Sequence, residues 1–212
     1  MTALATTPAG LLATGLAGAI EPPGDAASER ILDAALDLAA ASGLRHLTMD
    51  DVAARAGVGR MTVYRRFGDK QRLLETLAIR EARRCLAELD AAGDPDDDIR
   101  DQIADGFVAS MRIAHEHPLL NRLARVEPAA VLEAAIADGA ATFILARSYM
   151  AARLRAAQAA GALGDLDVDA AAELLVRLAI SFVLIQPSVL PLDDEGRLRE
   201  LAKELVAPIV SG

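Results

Sequence analysis

The 212-residue chain contains one cysteine, no tryptophan, two tyrosines and four phenylalanines. The single cysteine, Cys85, excludes an internal disulfide and is typical of a reducing compartment, so we predict a cytoplasmic protein. The apolar stretch from Ala9 to Ile20 lacks a basic flank and is too short to span a bilayer, so it predicts neither a signal peptide nor a membrane helix. Alanine and leucine abound while β-branched runs are short, and this composition predicts an all-α fold.

Motifs that carry catalysis are also missing. The sequence has no glycine-rich phosphate loop, no HExxH and no GxSxG, so we predict that the chain is not an enzyme and needs no cofactor. His115 and His117 are two residues apart and lie on different faces of one helix, which does not suit a shared metal ion. The acidic run 94–98 resembles the start of a calcium loop, but Ile99 stands where that loop needs glycine. No metal site is predicted.

The charge of the chain is unevenly distributed. In total, 22 Lys and Arg against 31 Asp and Glu give a net charge of −9. Residues 28–84 hold 11 basic against 8 acidic side chains, a local charge of +3, so the remainder carries −12. A local positive charge on an acidic protein predicts a polyanionic partner.

The segment Thr48–Leu74 has the pattern of two short helices around a glycine turn. Thr48 and Asp51 have the spacing of a capping box at a helix start. One apolar stripe follows, at i, i+3, i+4 and i+7: Met49, Val52, Ala53 and Ala56. Gly57 suits the left-handed position that ends the helix, and Val58 can plug the small core. A short glycine-containing turn between two helices is typical of a helix-turn-helix.

The next helix, from about Gly59 or Arg60 to Phe67, would be the recognition helix. Val63 and Phe67 should pack inward, which leaves the opposite side free for DNA. Side chains at the start of such a helix reach base edges in the major groove, and hydroxyl and basic groups contact phosphates. Lys70 follows in the first turn of the next helix, which Asp69 should cap. The predicted DNA-binding residues are Thr48, Arg60, Met61, Thr62, Tyr64, Arg65 and Lys70.

This arrangement resembles the DNA-binding domain of the TetR-type bacterial transcription regulators, over roughly residues 28–77. The matching elements are Thr48, Ala53–Val58, Thr62-Val63-Tyr64, Phe67, Gly68, Lys70, Leu73 and Leu74. Gly59 departs from a frequent serine cap, and Met61 stands where a small residue is common. The resemblance implies a homodimeric, ligand-responsive regulator of transcription that binds a double-stranded DNA operator. Regulators of this type commonly lose DNA affinity when a small molecule binds, so the resemblance implies a repressor that a small-molecule effector releases from a palindromic operator.

Glycine and proline breaks divide the chain into three predicted parts. Residues 1–27, with almost no charge, should form a flexible N-terminal extension that lacks the basic residues of a minor-groove arm. Residues 28–74 should form the helix-turn-helix DNA-binding domain, and residues 75–212 a helical ligand-binding and dimerisation domain. The predicted fold is therefore all-α, a three-helix head followed by a helical bundle, with about nine helices. The later helices are predicted near residues 69–91, 96–117, 119–126, 127–160, 168–186 and 193–209.

The eighth predicted helix is apolar around most of its circumference and therefore needs cover on every side. It can be a core helix of one chain, or a second copy of the protein can cover one face. The resemblance favours the second interpretation, because TetR-like proteins dimerise through a four-helix bundle of their last two helices. A two-fold dimer would place its two recognition helices about 34 Å apart on a near-palindromic site.

The resemblance also implies a ligand cavity among the middle helices. The candidate ligand-binding residues interrupt the Ala/Leu pattern there, and are Phe107, Met111, His115, Asn121, Phe143, Arg147, Tyr149, Met150 and Phe182. Each of them can instead belong to an ordinary core, and Arg147 can pair with a protein carboxylate as well as with a ligand. The scarcity of aromatic residues favours an aliphatic or mixed ligand.

Two other functions stay open at this point. The chain can be a helical small-molecule-binding dimer without sequence-specific DNA binding, or an enzyme whose site lies within the cavity. Phosphate contacts make DNA affinity fall steeply with salt, so the salt dependence of binding distinguishes a DNA-binding regulator from the first alternative. Turnover of a candidate compound would identify the second.

Overall fold

The computed structural model describes residues 24–94, 96–126, 141–185 and 188–211. Within these ranges the chain forms helices and no strand, which confirms the all-α prediction. The helices are α1 (Ala26–Ser42), α2 (Met49–Ala56), α3 (Arg60–Phe67), α4 (Lys70–Asp90), α5 (Ile99–Glu116), α6 (Pro118–Val126), α7 (Ala141–Ala159), α8 (Val168–Leu184), α9 (Glu195–Leu205) and α10 (Pro208–Ser211). Most of the predicted N-terminal extension and the predicted start of the seventh helix lie outside the described residues.

Two helix ends differ from the predicted ones for local reasons. Helix α5 begins at Ile99 rather than near residue 96, because the Asp98 carboxylate accepts a hydrogen bond from the Arg100 N–H at 2.8 Å and caps the helix. Helix α9 ends at Leu205, and Pro208 then begins the short α10. Proline disfavours the helical conformation in the residue before it, which separates the two helices.

The described residues fall into two compact units. The first unit consists of residues 24–84, 117–126, 141 and 142; the second consists of residues 85–94, 96–116, 143–185 and 188–211. Helix α4 therefore contributes its first part to one unit and its last part to the other. The domain boundaries at residues 27 and 74 stay predictions.

The core of the first unit joins α1 to the two helices of the turn motif. Ile31 of α1, Val52 of α2 and Val63 of α3 are fully buried in one apolar cluster. Helix α6 adds Leu119 and Leu123 to the same cluster. Although the sequence analysis grouped α6 with the ligand-binding domain, its packing places it in the unit that contains the helix-turn-helix.

A buried arginine ties α1 to α4 in the first unit. Arg80 donates from Nη1 to Asp33 at 2.8 Å and to Glu29 at 3.1 Å, and from Nε to Glu81 at 2.6 Å. Burial alone would raise the pKa of Glu81, but the hydrogen bond from His117 and the charge of Arg80 outweigh it, so this pKa lies below its usual value. Arg80 and Glu81 therefore compensate each other inside the unit, while Glu29 and Asp33 contact Arg80 from its more exposed edge.

His117 connects this cluster to the start of α6. Its Nδ1 accepts the Leu120 N–H at 3.3 Å, and its Nε2 lies 3.1 Å from Glu81. Because Nδ1 acts as an acceptor, the proton is on Nε2, which donates to the Glu81 carboxylate. His117 thus caps α6 and fixes it to α4 within the first unit.

The second unit packs parts of α5, α7, α8 and α9 around another apolar cluster, which includes Phe107, Leu154, Leu175 and Leu198. Arg199 on α9 joins it to α5, with N···O distances of 2.5 Å to Asp105 and 2.6 Å to Asp101. These bonds orient α9 along the helices that surround the cavity described below.

Candidate DNA-binding and ligand-binding sites

Helix α2 and the turn after it have the geometry that the sequence predicts. The Thr48 hydroxyl accepts the Asp51 N–H at 3.2 Å and donates to the Asp51 carboxylate at 2.5 Å. Gly57 ends the helix in the left-handed conformation, with φ 65° and ψ 36°, which an L side chain adopts with strain. Val58 is half-buried against the core of the first unit. These features confirm the predicted cap and turn.

Helix α3 separates a buried side from an exposed one. Val63 and Phe67 lie in the core, as predicted. On the other side, Met61 is 76% exposed and Arg65 is also exposed. Gly59 occupies the cap position and supplies no side-chain hydrogen bond. The turn motif therefore leaves the start of α3 exposed, while the buried side of α3 anchors this helix in the core.

Arg60 is already engaged by neighbouring protein groups. Its Nε lies 2.9 Å from an Asp50 carboxylate oxygen on α2, and its guanidinium lies 5.3 Å from the centre of the Tyr64 ring. The hydrogen bond with Tyr64 and the charge of Asp50 raise the pKa of Arg60. Sequence analysis missed this pairing, because nothing in the sequence indicates that Asp50 faces α3.

Two further basic residues of this region also have protein partners. Lys70 donates from Nζ to the carbonyl oxygen of Arg45 at 2.9 Å, which leaves two of its three N–H groups. Arg66 donates to Asp25 and, at 2.8 Å, to Ser28, and so fixes α3 to the start of α1. Arg65, by contrast, has no ion pair or hydrogen bond with the described residues.

A cavity of about 500 Å³ lies within the second unit. Its wall is mostly apolar and comes from α4, α5, α7 and α8. Three of the predicted ligand-binding residues line it, Phe107, Tyr149 and Met150. Its size and apolar character suit a small molecule with few polar groups.

Six predicted ligand-binding residues do not line this cavity. Arg147 lies 3.6 Å from Glu173, so a protein carboxylate balances its charge. Phe182 packs edge-on against Phe107 at 5.9 Å, and the guanidinium of Arg177 covers Phe143 at 4.7 Å. Of the other three, Met111 is a buried core residue of α5 and His115 is exposed near the end of the same helix. Asn121 is half-buried on α6 in the first unit.

Tyr149 and Arg153 in the cavity wall form a polar cluster with Asp90 that the sequence analysis missed. Tyr149 donates its hydroxyl hydrogen to Asp90, the last residue of α4, at 2.5 Å. Arg153 bonds to the same carboxylate at 2.5 Å. Burial, together with the bond to Asp90, raises the pKa of Tyr149. Tyr149 and Arg153 are four residues apart and so share a face of α7, which was the available signal.

Two other kinds of feature are absent from the described residues. No group of three or more His, Cys, Asp or Glu side chains there could bind a metal ion. None of the helices in the same ranges is long and apolar enough to cross a membrane.

The recognition helix of this helix-turn-helix presents exposed side chains, and the helical chain also contains an apolar cavity. These two features together define a DNA-binding regulator. Residues 31–77 match the family model for bacterial regulatory proteins of the tetR family. The HTH-type transcriptional regulator AlkX of Mycobacterium tuberculosis is 27% identical over 182 residues, covering 85% of this chain and 83% of the relative. The chain is therefore similar to TetR-type transcription regulators, and the family match lies in the unit that contains the helix-turn-helix. This family consists of regulators rather than enzymes.

Solved structures share the fold. The TetR family repressor AlkX from Dietzia sp., implicated in biodegradation of n-alkanes, superposes with a TM-score of 0.57 at 22% identity, over 87% of this chain and 95% of the other. The fatty acid degradation regulator FadR from Bacillus halodurans superposes with a TM-score of 0.59 at 18% identity, over 88% and 97%. TetR-type regulators bind operators and effectors and act as dimers.

Proposed function

We propose that this protein is a cytoplasmic repressor that binds a near-palindromic operator as a homodimer. A small, mostly apolar molecule in the cavity of the second unit releases it from DNA. The observation that carries the proposal is the α2–α3 turn motif, which presents Met61 and Arg65 on the exposed side of α3. The local charge of +3 over residues 28–84 favours the same partner.

The contacts of the predicted DNA-binding residues suggest different roles. Arg65 is exposed and unpaired among the described residues, so its guanidinium is available for a bidentate contact with guanine. Arg60 and Lys70 already bond to protein groups, so we assign them to phosphate contacts. We assign the hydroxyl-bearing residues Thr62 and Tyr64 to phosphates as well, whereas Thr48, whose hydroxyl hydrogen is donated to Asp51, is assigned to capping α2.

Exposed apolar side chains on the last helices support the proposed dimer. Leu174 and Ile180 on α8 are 56% and 36% exposed, and Leu205 at the end of α9 is 59% exposed. Apolar patches of this kind mark interaction sites when they are contiguous. A second copy packed on α8 and α9 would cover them, and two-fold symmetry would present two recognition helices to successive major grooves.

The cavity and the relatives together suggest an aliphatic effector. Most of the cavity wall is apolar, and its one charged residue, Arg153, is neutralised by Asp90. Among the proteins with this fold are a repressor implicated in n-alkane biodegradation and a regulator of fatty acid degradation. We therefore propose a molecule with a long hydrocarbon part as the effector.

The experiment for the DNA-binding part is selection of bound duplexes from a random pool at two salt concentrations. We expect a near-palindrome with half-sites about one helical turn apart, bound less tightly at the higher salt because phosphate contacts release counterions. No enriched motif from folded, dimeric, effector-free protein would contradict the proposal. It would favour the alternative, a ligand-binding dimer without sequence-specific DNA binding.

The effector part can be tested by thermal unfolding with n-alkanes, n-alkanols and fatty acids of graded length. A ligand that binds only the folded state stabilises it by about 2.7 kcal/mol at a hundredfold excess over its Kd. We expect a rise in melting temperature that depends on chain length, because a fixed cavity volume accepts a limited hydrocarbon. No rise with any of these compounds would exclude an aliphatic effector.

A further inference from the structure

Met61 lies in an unusual position for a large apolar side chain. It occupies the first turn of α3 and is 76% exposed, whereas Val63 and Phe67 of the same helix are buried. In the fully described α2–α3 segment it is the one large aliphatic side chain that is exposed in this way. None of the described residues covers it, at the place where a recognition helix meets base edges.

The major groove offers one apolar group that matches such a side chain. Guanine, cytosine and adenine present hydrogen-bond donors and acceptors there, whereas thymine also presents its C5-methyl group. A thioether has no donor and is a weak acceptor, so packing it on a polar base edge would leave that edge without a partner. Its flexible chain adapts well to a methyl group. We propose that Met61 reads the C5-methyl of one thymine in each half-site.

The neighbouring arginines support this division of roles. Arg60 is bonded to Asp50 and lies against the Tyr64 ring, so its guanidinium is already occupied beside Met61. Arg65 lies four residues after Met61, on the same exposed side of the helix. Four residues rise about 6 Å along an α-helix, which corresponds to about two base steps of ~3.4 Å. The thymine read by Met61 therefore lies within about two base pairs of the guanine assigned to Arg65.

The probe for this inference is the best-bound duplex from the selection experiment, with each thymine replaced in turn by deoxyuridine. This replacement removes the methyl group and keeps every hydrogen-bonding group. Loss of one buried methyl should weaken the wild-type protein about fourfold at one thymine per half-site. Met61→Ala should bind thymine and deoxyuridine equally at that position. Met61→Leu, which keeps an apolar side chain, should remain sensitive to the replacement.

Two further readouts separate base reading from a structural effect. The salt dependence of binding should be the same in Met61→Ala and the wild type, because no phosphate contact is removed. Met61→Gln keeps the length of the side chain and adds an amide, so repeated selection with it should replace the thymine, with adenine as the expected choice. Unchanged thymine preference in Met61→Gln would overturn the inference.

The remaining outcomes are also decisive. If no thymine of the recovered duplex is sensitive to deoxyuridine, or if Met61→Ala keeps the wild-type sensitivity, Met61 does not read a methyl group. In either case sequence-specific DNA binding stands and only this inference fails. If no duplex is recovered at all, the proposed DNA-binding function fails together with it.

Discussion

The two compact units differ in what their described core residues border. In the first unit, Ile31, Val52 and Val63 have no exposed surface, and Phe67 is 2% exposed. In the second unit, Phe107 and other core residues border a cavity of about 500 Å³. A filled core has one low-energy arrangement, whereas an unfilled one gains contacts when a ligand enters.

This difference matches the separate tasks that we propose for the units. Reading bases requires α3 to stay in one orientation, and the buried Val63 and Phe67 together with the Arg66 and Arg80 bonds provide it. Responding to a ligand requires a region whose packing changes on binding. Helix α4 contributes residues to both units, and its last residue, Asp90, bonds to Tyr149 and Arg153 at the cavity wall.

The largest expected effect comes from opening the core of the first unit. Phe67→Ala should lower the free energy of unfolding by about 3–5 kcal/mol, because it leaves a cavity in a filled core. Phe107→Ala in the second unit should cost less, since part of this ring already borders empty space. Urea denaturation of both variants measures the difference. Equal losses would contradict the contrast between the two cores.

A smaller effect is expected from the buried charges of the first unit. Glu81→Gln should lower the free energy of unfolding by about 1.5–3 kcal/mol, because it weakens charge-assisted bonds to Arg80 and His117. The lowered pKa of Glu81 means that its contribution is complete above its unfolded pKa of about 4.3 and is lost as the pH falls through the folded pKa.

Stability curves between pH 3 and pH 7 test this statement. The wild type should lose stability at the acid end more steeply than Glu81→Gln, whose amide does not titrate in that range. Parallel curves for the two proteins would show that Glu81 is not the group responsible.

The proposed roles of Arg65 and Lys70 can be compared directly. Arg65→Ala should cost about 1–3 kcal/mol against the preferred base and relax selectivity at that position. Lys70→Ala should weaken binding to all sequences and reduce the salt dependence by about one phosphate contact. Binding of the two variants to the selected duplex and to scrambled DNA distinguishes these outcomes. Equal loss on every sequence for Arg65→Ala would remove Arg65 from base reading.

Sequence periodicity and turn chemistry predicted the helix-turn-helix part of the first unit. Thr48, Gly57 and the spacing of Val63 and Phe67 specify local structure, because each acts on its own helix or turn. The sequence could not show that α6 packs in this unit, since Leu119 lies far along the chain from its partners.

The ligand-binding residues were harder to predict for the same reason. Phe143 and Arg147 interrupt an apolar pattern in the same way as Tyr149 and Met150, and only packing distinguishes the residues at the cavity from the others. Asp90 lies at the end of a different helix, so its bond to Tyr149 depends on a tertiary contact. Composition can suggest a cavity, but its wall is defined by helices that are distant in sequence.

The smallest expected effect concerns Gly106, which lines the cavity in the middle of α5. Nothing lies within 4 Å of the position where a Cβ would be added. Gly106→Ala should therefore raise the free energy of unfolding by about 0.5–1 kcal/mol, because alanine loses less backbone entropy in a helix. Thermal unfolding measures the change. A loss of stability would contradict the open space beside Gly106.

The most direct test of the account is the affinity for the selected duplex with and without the best aliphatic ligand, in the wild type, Gly106→Ala and Gly106→Leu. The leucine side chain would fill part of the cavity, whereas alanine leaves most of it open. We predict that all three proteins bind DNA equally without ligand, and that ligand weakens binding for the wild type and Gly106→Ala but not for Gly106→Leu. Equal weakening of all three would show that the cavity of the second unit does not control the DNA-binding unit.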